Sequence, residues 1–437
     1  MLGRVDTRNQ SRKAPLIRAN ERGATSIQII VILVPVLFGF MGFAVDLGRM
    51  YLIRGELNTA ANAMAIAAAG RLIGTGQSTT DAVAAAHLTI DNAGGFANKY
   101  DFGGLAIGES SGLLTSQVDE PAFYDSRAAA IGEGDAAGGS QATGSTAKHV
   151  RVTLQADAPL IFWSFLSLGQ SRRAPIAAKA VAGMSAPLCT ACGVEPFAVA
   201  ALDAGDTTNF GFSANTRYTL GYLCNGLGTP GLLQGTTARV PYLILNRLDE
   251  EATLFTDEAS QIYRIGAQGL LPSKTAAKAC IVANAEESIW VTAAPLACAQ
   301  NRVPATVSSM LCGLASRFDP TTIPTVCASI PEVETIATAY VADTDLTDLD
   351  DYVAYTGNLR RVITVPVVQS LAAAGTMTIL GFRQFLVEPN FGTTTVNPSD
   401  QNGRFVGLYI GSVVPVKQGS FSGCQLAAGP GKVVLHQ

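Results

Sequence analysis

The sequence predicts an α+β protein in which a single N-terminal transmembrane helix continues as a long helix and leads into a β-rich, disulfide-containing exported region. Three observations predict this fold class. An uncharged apolar segment runs from Ala24 to Val45, and apolar residues then recur at helical spacing as far as Leu72. Strand-like runs separated by turn residues fill most of the remaining chain.

The segment from Ala24 to Val45 is long enough to cross a membrane. As a helix it spans about 33 Å, slightly more than the hydrocarbon core of a bilayer. Residues 1–23 carry six basic and two acidic side chains. By the positive-inside rule they form a cytoplasmic tail, and the bulk of the chain is periplasmic or extracellular, anchored by one span in a bacterial inner membrane. A cleaved secretory signal is the alternative, although the apolar run is longer than a usual signal core and no convincing small-x-small site follows it.

Charge and composition exclude one class of partner. The whole chain has a net charge of −4 and its basic tail is positive, so the exported body is mildly acidic and no nucleic-acid partner is predicted. Charged residues make up 15% of the sequence and hydrophobic residues 48%, which is ample for a sizeable core.

The helix is predicted to continue beyond the membrane. Asp46 and Arg49 lie at the outer membrane boundary, and Asp46 is interpreted as an interfacial charge that ends the span, with a contact to a neighbouring subunit as the alternative. No proline occurs between Asp46 and Leu72, and one apolar stripe with an alanine-rich stretch continues through these residues.

Glycines are expected to end this helix at positions 70, 74 and 76. A shorter second helix is predicted at Ala82–Asn92, with its cap in Ser78–Asp81. Residues 126–148 are small and polar and are predicted to form a flexible loop. Two strands then follow, His149–Gln155 and Pro175–Met184.

The segment Ala158–Leu168 is the second most hydrophobic stretch of the chain. Its eleven residues are too few to span a membrane, so it is interpreted as a core segment or a membrane-surface contact.

The composition changes at Ala186, where cysteines begin and prolines become frequent. The clearest strand-like runs in this region are Pro241–Leu245, Ser288–Thr292, Val362–Val368, Met377–Val387 and Phe405–Val414. The predicted division of the chain is a basic tail (1–23), a transmembrane helix (24–45), a helix with a small α+β domain (46–185) and a cysteine-rich, β-rich exported domain (186–437).

An even number of cysteines, all in the exported part, indicates up to four disulfides in an oxidising compartment. A metal site or a redox pair at Cys189-x-x-Cys192 are the alternatives; a structural zinc site usually has a second close pair, which is missing. The candidates are Cys189, Cys192, Cys224, Cys280, Cys298, Cys312, Cys327 and Cys424.

No catalytic constellation emerges from the sequence. Gly108-x-Ser110-x-Gly112 matches a nucleophile-elbow pattern without the strand and helix that the elbow requires, and the three histidines are scattered. We therefore predict no enzyme, no cofactor and no small-molecule substrate. One acidic cluster is interpreted as a solvated acidic loop, with a calcium site built from its hard oxygen ligands as the alternative; the calcium candidates are Asp343, Asp345, Asp348 and Asp350.

The N-terminal residues resemble the TadE/TadG-like proteins of Flp (Tad, type IVc) pilus assembly. The resemblance is carried by Glu21-Arg-Gly-Ala24, the apolar span, the run Gly42-Phe-Ala-Val-Asp46-Leu-Gly48-Arg49 and the alanine-rich helix from Leu57 to Ala69. It covers about fifty residues, and the strands at 149–184 are similar to the larger TadG-related members.

The resemblance implies a pilin-like helix and a membrane-anchored structural or assembly component of a Tad/Flp-type pilus. Its implied partners are other pilus subunits or inner-membrane assembly proteins. Prepilin-type cleavage would fall between Gly23 and Ala24, but Gln28 occupies the position where the family pattern has glutamate. The alternative is a membrane-anchored extracytoplasmic binding or cell-adhesion module whose cysteine-rich domain binds a ligand, a surface polymer or, at the acidic cluster, calcium.

Overall fold

The structure is a computed structural model. It describes residues 21–90, 116–118, 120–132, 142–160, 162–163, 172–224, 231–245, 258–269, 280–284, 303–318, 326–327, 340–371, 376–389 and 396–436.

The first helix, α1 (Glu21–Ala69), is one continuous element of 49 residues with Pro35 inside it. Two further helices follow in the N-terminal part, α2 (Ser78–Ile90) and the short α3 (Arg127–Ile131). Ser126 caps α3 by accepting a hydrogen bond from the Ala129 amide, and Gly132 ends it in the left-handed conformation. Residues 127–131 are therefore helical, which corrects the prediction of a loop over 126–148; residues 133–141 lie outside the described residues.

The C-terminal half of α1 packs on an antiparallel sheet. The sheet order is β1-β3-β4-β14, with β2 pairing on β3 as well. The strands are β1 (Ser116–Val118), β2 (Ala122–Tyr124), β3 (His149–Leu160), β4 (Arg172–Met184) and β14 (Val433–His436).

Small side chains let α1 approach this sheet closely. Ala60, Ala61, Ala65 and Ala68 of the helix are fully buried. The opposing sheet residues include Ala178, Ala180 and Ala182 of β4, and all of these belong to one apolar core. Alanine at these positions gives high helix propensity and a flat packing surface at once.

The remaining strands close into a six-stranded barrel in the order β10-β11-β12-β7-β8-β6. Four pairs are antiparallel, and the pairs β7–β8 and β6–β10 are parallel. The strands are β6 (Phe197–Ala200), β7 (Arg217–Tyr222), β8 (Ala238–Ile244), β10 (Val362–Val368), β11 (Ile379–Val387) and β12 (Phe405–Tyr409).

The barrel interior is rich in aromatic rings. Phe197, Tyr242 and Phe405 meet with ring centroids 5.1–5.8 Å apart. Two helices, α4 (Glu258–Gln268) and α5 (Ala305–Ala315), pack against each other beside the barrel. A small three-stranded sheet is formed by β5 (Thr190–Cys192), β9 (Cys280–Val282) and β13 (Gly419–Ser420).

The barrel and the N-terminal sheet are in direct contact. Ile73, just after α1, packs in a buried cluster with Leu349, Tyr352 and Tyr355 of the barrel region. The Gly76 amide donates a hydrogen bond to the carbonyl of Val353 at 2.8 Å. The chain also returns from the barrel to the first sheet, because β14 pairs with β4.

The predicted fold class is confirmed: a long apolar N-terminal helix precedes a strand-rich region with disulfides. The predicted strand Val362–Val368 coincides with β10, and the predicted helix at Ala82–Asn92 is observed from Ser78 to Ile90. The strand predicted at Ser288–Thr292 lies outside the described residues. The division into domains at residue 185 stays a prediction.

Candidate functional site: the exposed half of α1 and the surface around it

The N-terminal half of α1 leaves its apolar side chains uncovered. The large apolar residues from Ile27 to Leu47 are between 41% and 70% exposed. Among the described helices, this is the one that is long and apolar enough to cross a membrane. A soluble surface does not expose a contiguous apolar area of this size, so the exposed half requires lipid or protein around it.

The body of the protein is fixed to α1 where this exposed half ends. Asp46 is 5% exposed, and its carboxylate accepts hydrogen bonds from the backbone amides of Phe162 and Trp163, both at 3.1 Å. One helical turn earlier, Gly42 faces the Phe162 side chain so closely that a Cβ atom there would overlap the ring. Gly42 and Asp46 together form a seat for Phe162 and Trp163, which follow β3, and we call it the hairpin seat.

Sequence reasoning missed this role of Asp46. Neither predicted role, as an interfacial charge or as a contact to a neighbouring subunit, involves residues 162–163, which are 116 and 117 positions away. The only available signal was the glycine four residues before the acid, which places both on one helix face. Arg49 lies one turn further on and is half-buried, and its Nη1 atom has no hydrogen-bond partner among the described residues.

A cleft of about 430 Å³ separates α1 from β4 just beyond the hairpin seat. Its lining side chains are apolar apart from the guanidinium of Arg54 and the hydroxyl of Tyr51. Tyr51 at this cleft is 79% exposed, so the uncovered apolar surface of α1 continues past Asp46. The remaining lining residues are Leu47, Met50, Pro175, Ile176 and Ala177.

A larger groove of about 890 Å³ lies at the other end of α1, against the barrel. Its basic side chains are Arg71, Arg317, Arg360, Lys417 and Lys432. The acid among its lining residues is Glu195, which pairs with Arg317 at 2.5 Å. Burial, followed by the nearby Arg317 charge, lowers the pKa of Arg360 to about 10. The groove is therefore positively charged and attracts carboxylate or phosphate groups.

The first two carboxylates of the acidic cluster accept hydrogen bonds from nearby protein groups. Asp343 accepts from the Tyr355 hydroxyl at 2.5 Å and from the Arg361 amide at 3.3 Å. Asp345 accepts from the amides of Thr347 and Thr356, each at 3.0 Å. Within the described residues, no group of three or more His, Cys, Asp or Glu side chains is placed to hold a metal ion.

The other two calcium candidates pair with an arginine of the barrel. Arg217 contacts Asp348 at 2.6 Å and Asp350 at 3.0 Å. Below them, the fully buried Arg361 pairs with Glu388 at 3.0 Å. Burial raises the pKa of Glu388 to about 7, although Arg361 and Arg217 act to lower it. These ion pairs hold the acidic cluster against the barrel and give its carboxylates a structural role.

The cysteines form disulfides, as predicted for this part of the chain. The pairs are Cys189–Cys424, Cys192–Cys280 and Cys312–Cys327. Cys224 is also disulfide-bonded, and Cys298 lies outside the described residues. Because Cys189 and Cys192 pair with two different distant partners, this motif is neither a redox dithiol nor half of a zinc site.

Comparison with known proteins gives one match. Residues 23–71 match the family model described as Flp pilus-assembly TadE/G-like. No curated protein and no solved structure matches the chain. The matched residues begin near the start of α1 and end just after it, so they include Gly42, Asp46 and the exposed apolar half. The resemblance found in the sequence is thereby confirmed: residues 23–71 of this chain are TadE/G-like, and the match supports a role related to Tad/Flp pili.

Proposed function

We propose that this protein is a membrane-anchored structural or assembly component of a Tad/Flp-type pilus. In this proposal α1 crosses the inner membrane, residues 1–23 lie in the cytoplasm, and the body acts outside the membrane through contacts with other pilus subunits or inner-membrane assembly proteins. It works without catalysis, as expected for a family of structural and assembly proteins.

One observation carries the proposal: α1 is a single helix with two different surfaces. Its first half is exposed and apolar, whereas Ile53, Leu57 and Met64 in its second half are at most 2% exposed. Such a helix is embedded at one end and forms part of the core of a folded body at the other. It therefore fixes the position of that body relative to the membrane. This is the architecture that subunits and assembly factors of a filament need.

Gene deletion tests the role directly. We expect loss of assembled pili in the deletion strain and recovery when the full chain is supplied. A matched variant in which residues 24–45 are replaced by an unrelated apolar helix of equal length keeps the anchor and removes the specific helix surface. Unchanged pilus assembly in the deletion strain would refute the proposal.

The orientation is tested by labelling with a membrane-impermeant maleimide. Ser11→Cys is expected to react only after the inner membrane is broken. Val341→Cys, at a position that is 73% exposed, is expected to react once the outer membrane is permeable. The reverse pattern would place the body in the cytoplasm.

A second candidate function is adhesion by the exported body. It is favoured because the disulfide-linked barrel lies wholly outside the matched residues 23–71. A deletion strain that assembles normal pili but no longer adheres would support this alternative over the assembly role.

A further inference from the structure

The face of the body nearest the exposed half of α1 carries an aromatic tip and an apolar cleft with one cation. We propose that this face, formed by Phe162, Trp163 and the α1–β4 cleft with Arg54, is a binding surface for anionic phospholipid. The inference rests on the proposed membrane anchoring by α1 and adds a second, separate contact between the protein and the bilayer.

The position of the tip along α1 supports this inference. Gly42 belongs to the uncharged segment and lies about 6 Å along the helix axis from Asp46. Phe162 covers Gly42, so the tip reaches down beside the last turn of the span rather than stopping at its end. Trp163 is next to it and is 49% exposed. An exposed indole at this depth is in the interfacial layer, where tryptophan is enriched in membrane proteins.

The cleft lies in the next layer outward. The apolar side chains that line it between α1 and β4 suit the upper part of an acyl chain, and Tyr51 on its rim is 79% exposed. Arg54 lies about 12 Å along the helix from Asp46, and side chains on a helix point back towards its N-terminus. The guanidinium therefore faces the headgroup region, which is about 5–8 Å thick on each side of a bilayer.

Charge selects the class of lipid. Arg54 is the charged group of the cleft, and Arg49 stands between it and the span with a buried nitrogen that lacks a hydrogen-bond partner among the described residues. Of the two acids on this part of α1, Asp46 is engaged by the amides of residues 162 and 163, and Glu56 lies two residues beyond Arg54. A guanidinium forms a bidentate pair with a phosphate, and a net negative headgroup adds to this attraction.

Fluorescence quenching by brominated lipids tests the contact in the full chain. The protein has two tryptophans, so Trp290→Phe leaves Trp163 as the reporter. The vesicles contain equal parts of phosphatidylcholine and phosphatidylglycerol with bromine on the acyl chains. Two controls in a Trp163→Phe/Trp290→Phe background are Leu37→Trp within the span and Val341→Trp at the far groove. We expect Trp163 to be quenched several-fold more than the reporter at position 341.

The controls separate the two levels of the proposal. Quenching at position 37 without quenching of Trp163 would overturn the lipid contact and leave the anchor intact. Absence of quenching at position 37 would overturn the membrane anchoring itself. Trp163 could instead be shielded in a way that depends on the density of protein in the vesicles and not on brominated lipid. That result would assign this face to a second copy of the chain and overturn the lipid proposal.

Arg54 is tested by lipid preference. In the Trp290→Phe chain, brominated phosphatidylglycerol is expected to quench Trp163 more strongly than brominated phosphatidylcholine does. Arg54→Gln should reduce this preference, whereas Arg71→Gln, an exposed arginine at the other end of α1, should leave it unchanged. Equal preference in the native and Arg54→Gln chains would remove Arg54 from the site.

Discussion

Gly42 and Phe162 are in direct contact, and the contact is possible only because Gly42 has no side chain. It holds Phe162, which follows β3, against α1 at the point where the exposed half of the helix ends. The Asp46 carboxylate completes the seat by binding the amides that begin at Phe162. Two residues of the TadE/G-like segment thus have a structural role in joining the exposed half of α1 to the body.

Filling the hairpin seat should release the residues that follow β3. Gly42→Leu places a branched side chain where the Phe162 ring lies, so we expect Phe162 and Trp163 to be displaced and cleavage by added protease to rise near residue 162. Helix propensity alone predicts that Gly42→Leu stabilises α1, because leucine favours a helix over glycine by roughly 0.5–1 kcal/mol.

The chain offers matched controls for this substitution. Gly39 and Gly48 lie on the same helix, and a Cβ atom at either meets nothing within 4 Å. Gly39→Leu and Gly48→Leu should leave the cleavage pattern unchanged. Equal cleavage in all three variants would show that the close contact at Gly42 does not hold the hairpin.

Arg361 should be among the most sensitive positions of the barrel. Its Nε atom donates to the Val387 carbonyl at 2.8 Å, and its Nη2 atom pairs with Glu388 at 3.0 Å. Arg361→Ala leaves Glu388 buried with its main partner removed, which costs about 3–5 kcal/mol of unfolding free energy. Chemical denaturation measures the loss. Asp350→Ala, at a side chain that is 99% exposed, should cost less than about 1 kcal/mol of unfolding free energy. Equal losses in the two variants would contradict a stabilising role for the buried pair of Arg361 and Glu388.

Local patterns were enough to predict α1 and several strands. The uncharged segment and the alanine-rich stripe give the helix its type and length, and the apolar run Val362–Val368 marks β10 without tertiary information. Each element either forms its backbone hydrogen bonds within its own segment or presents apolar side chains at the spacing typical of its secondary structure. Its pattern is therefore visible in a short stretch of sequence.

Long-range partners were not predictable in the same way. The strand Val433–His436 has four residues and pairs with β4, some 250 positions earlier, so no local period marks it. The Asp46 carboxylate binds amides 116 residues away, and backbone amides carry no sequence signature. The same limit applies to cysteine pairing and to the parallel strand pairs that close the barrel, because these depend on register between distant segments.

We expect residues 1–23 to remain attached to the mature chain. Prepilin-type processing would remove residues 1–23, but Gln28 replaces the glutamate that the family pattern has five residues after the cleavage site. Intact mass of protein purified from native membranes measures this. A chain that begins at Ala24 would show that processing tolerates glutamine and that the subunit is able to enter a filament.

Loss of different disulfides should have graded effects. Cys189–Cys424 closes a separation of 235 residues, and Cys312–Cys327 closes one of 15. The entropy of loop closure makes the longer bridge worth about 2 kcal/mol more. We expect Cys189→Ala/Cys424→Ala to lower the unfolding free energy more than Cys312→Ala/Cys327→Ala does, in denaturation under non-reducing conditions. The reverse order would show that native-state packing outweighs the constraint on the unfolded chain.

The pair His149–His436 should make the N-terminal sheet sensitive to acid. The two rings lie 5.1 Å apart across β4, and Gly183 provides the space for the His149 ring. Burial, then the neighbouring His436, lowers the pKa of His149 to about 4. Lys148 and Arg127 also oppose its protonation, and Asp125 favours it.

The sign of the effect follows from proton uptake by the unfolded chain. Below about pH 6.5 the unfolded His149 binds a proton, while the folded one stays neutral until about pH 4. The contribution of this group to stability is therefore complete above pH 6.5 and is lost as the pH falls to 4, by at most about 3 kcal/mol. Glu388 acts in the opposite direction over part of this range, because its pKa is raised.

The informative quantity is thus the difference in unfolding free energy between the native chain and His149→Gln. This difference should shift in favour of the variant as the pH falls from 6.5 to 4. A difference that does not change with pH would mean that His149 is not held neutral in the folded sheet.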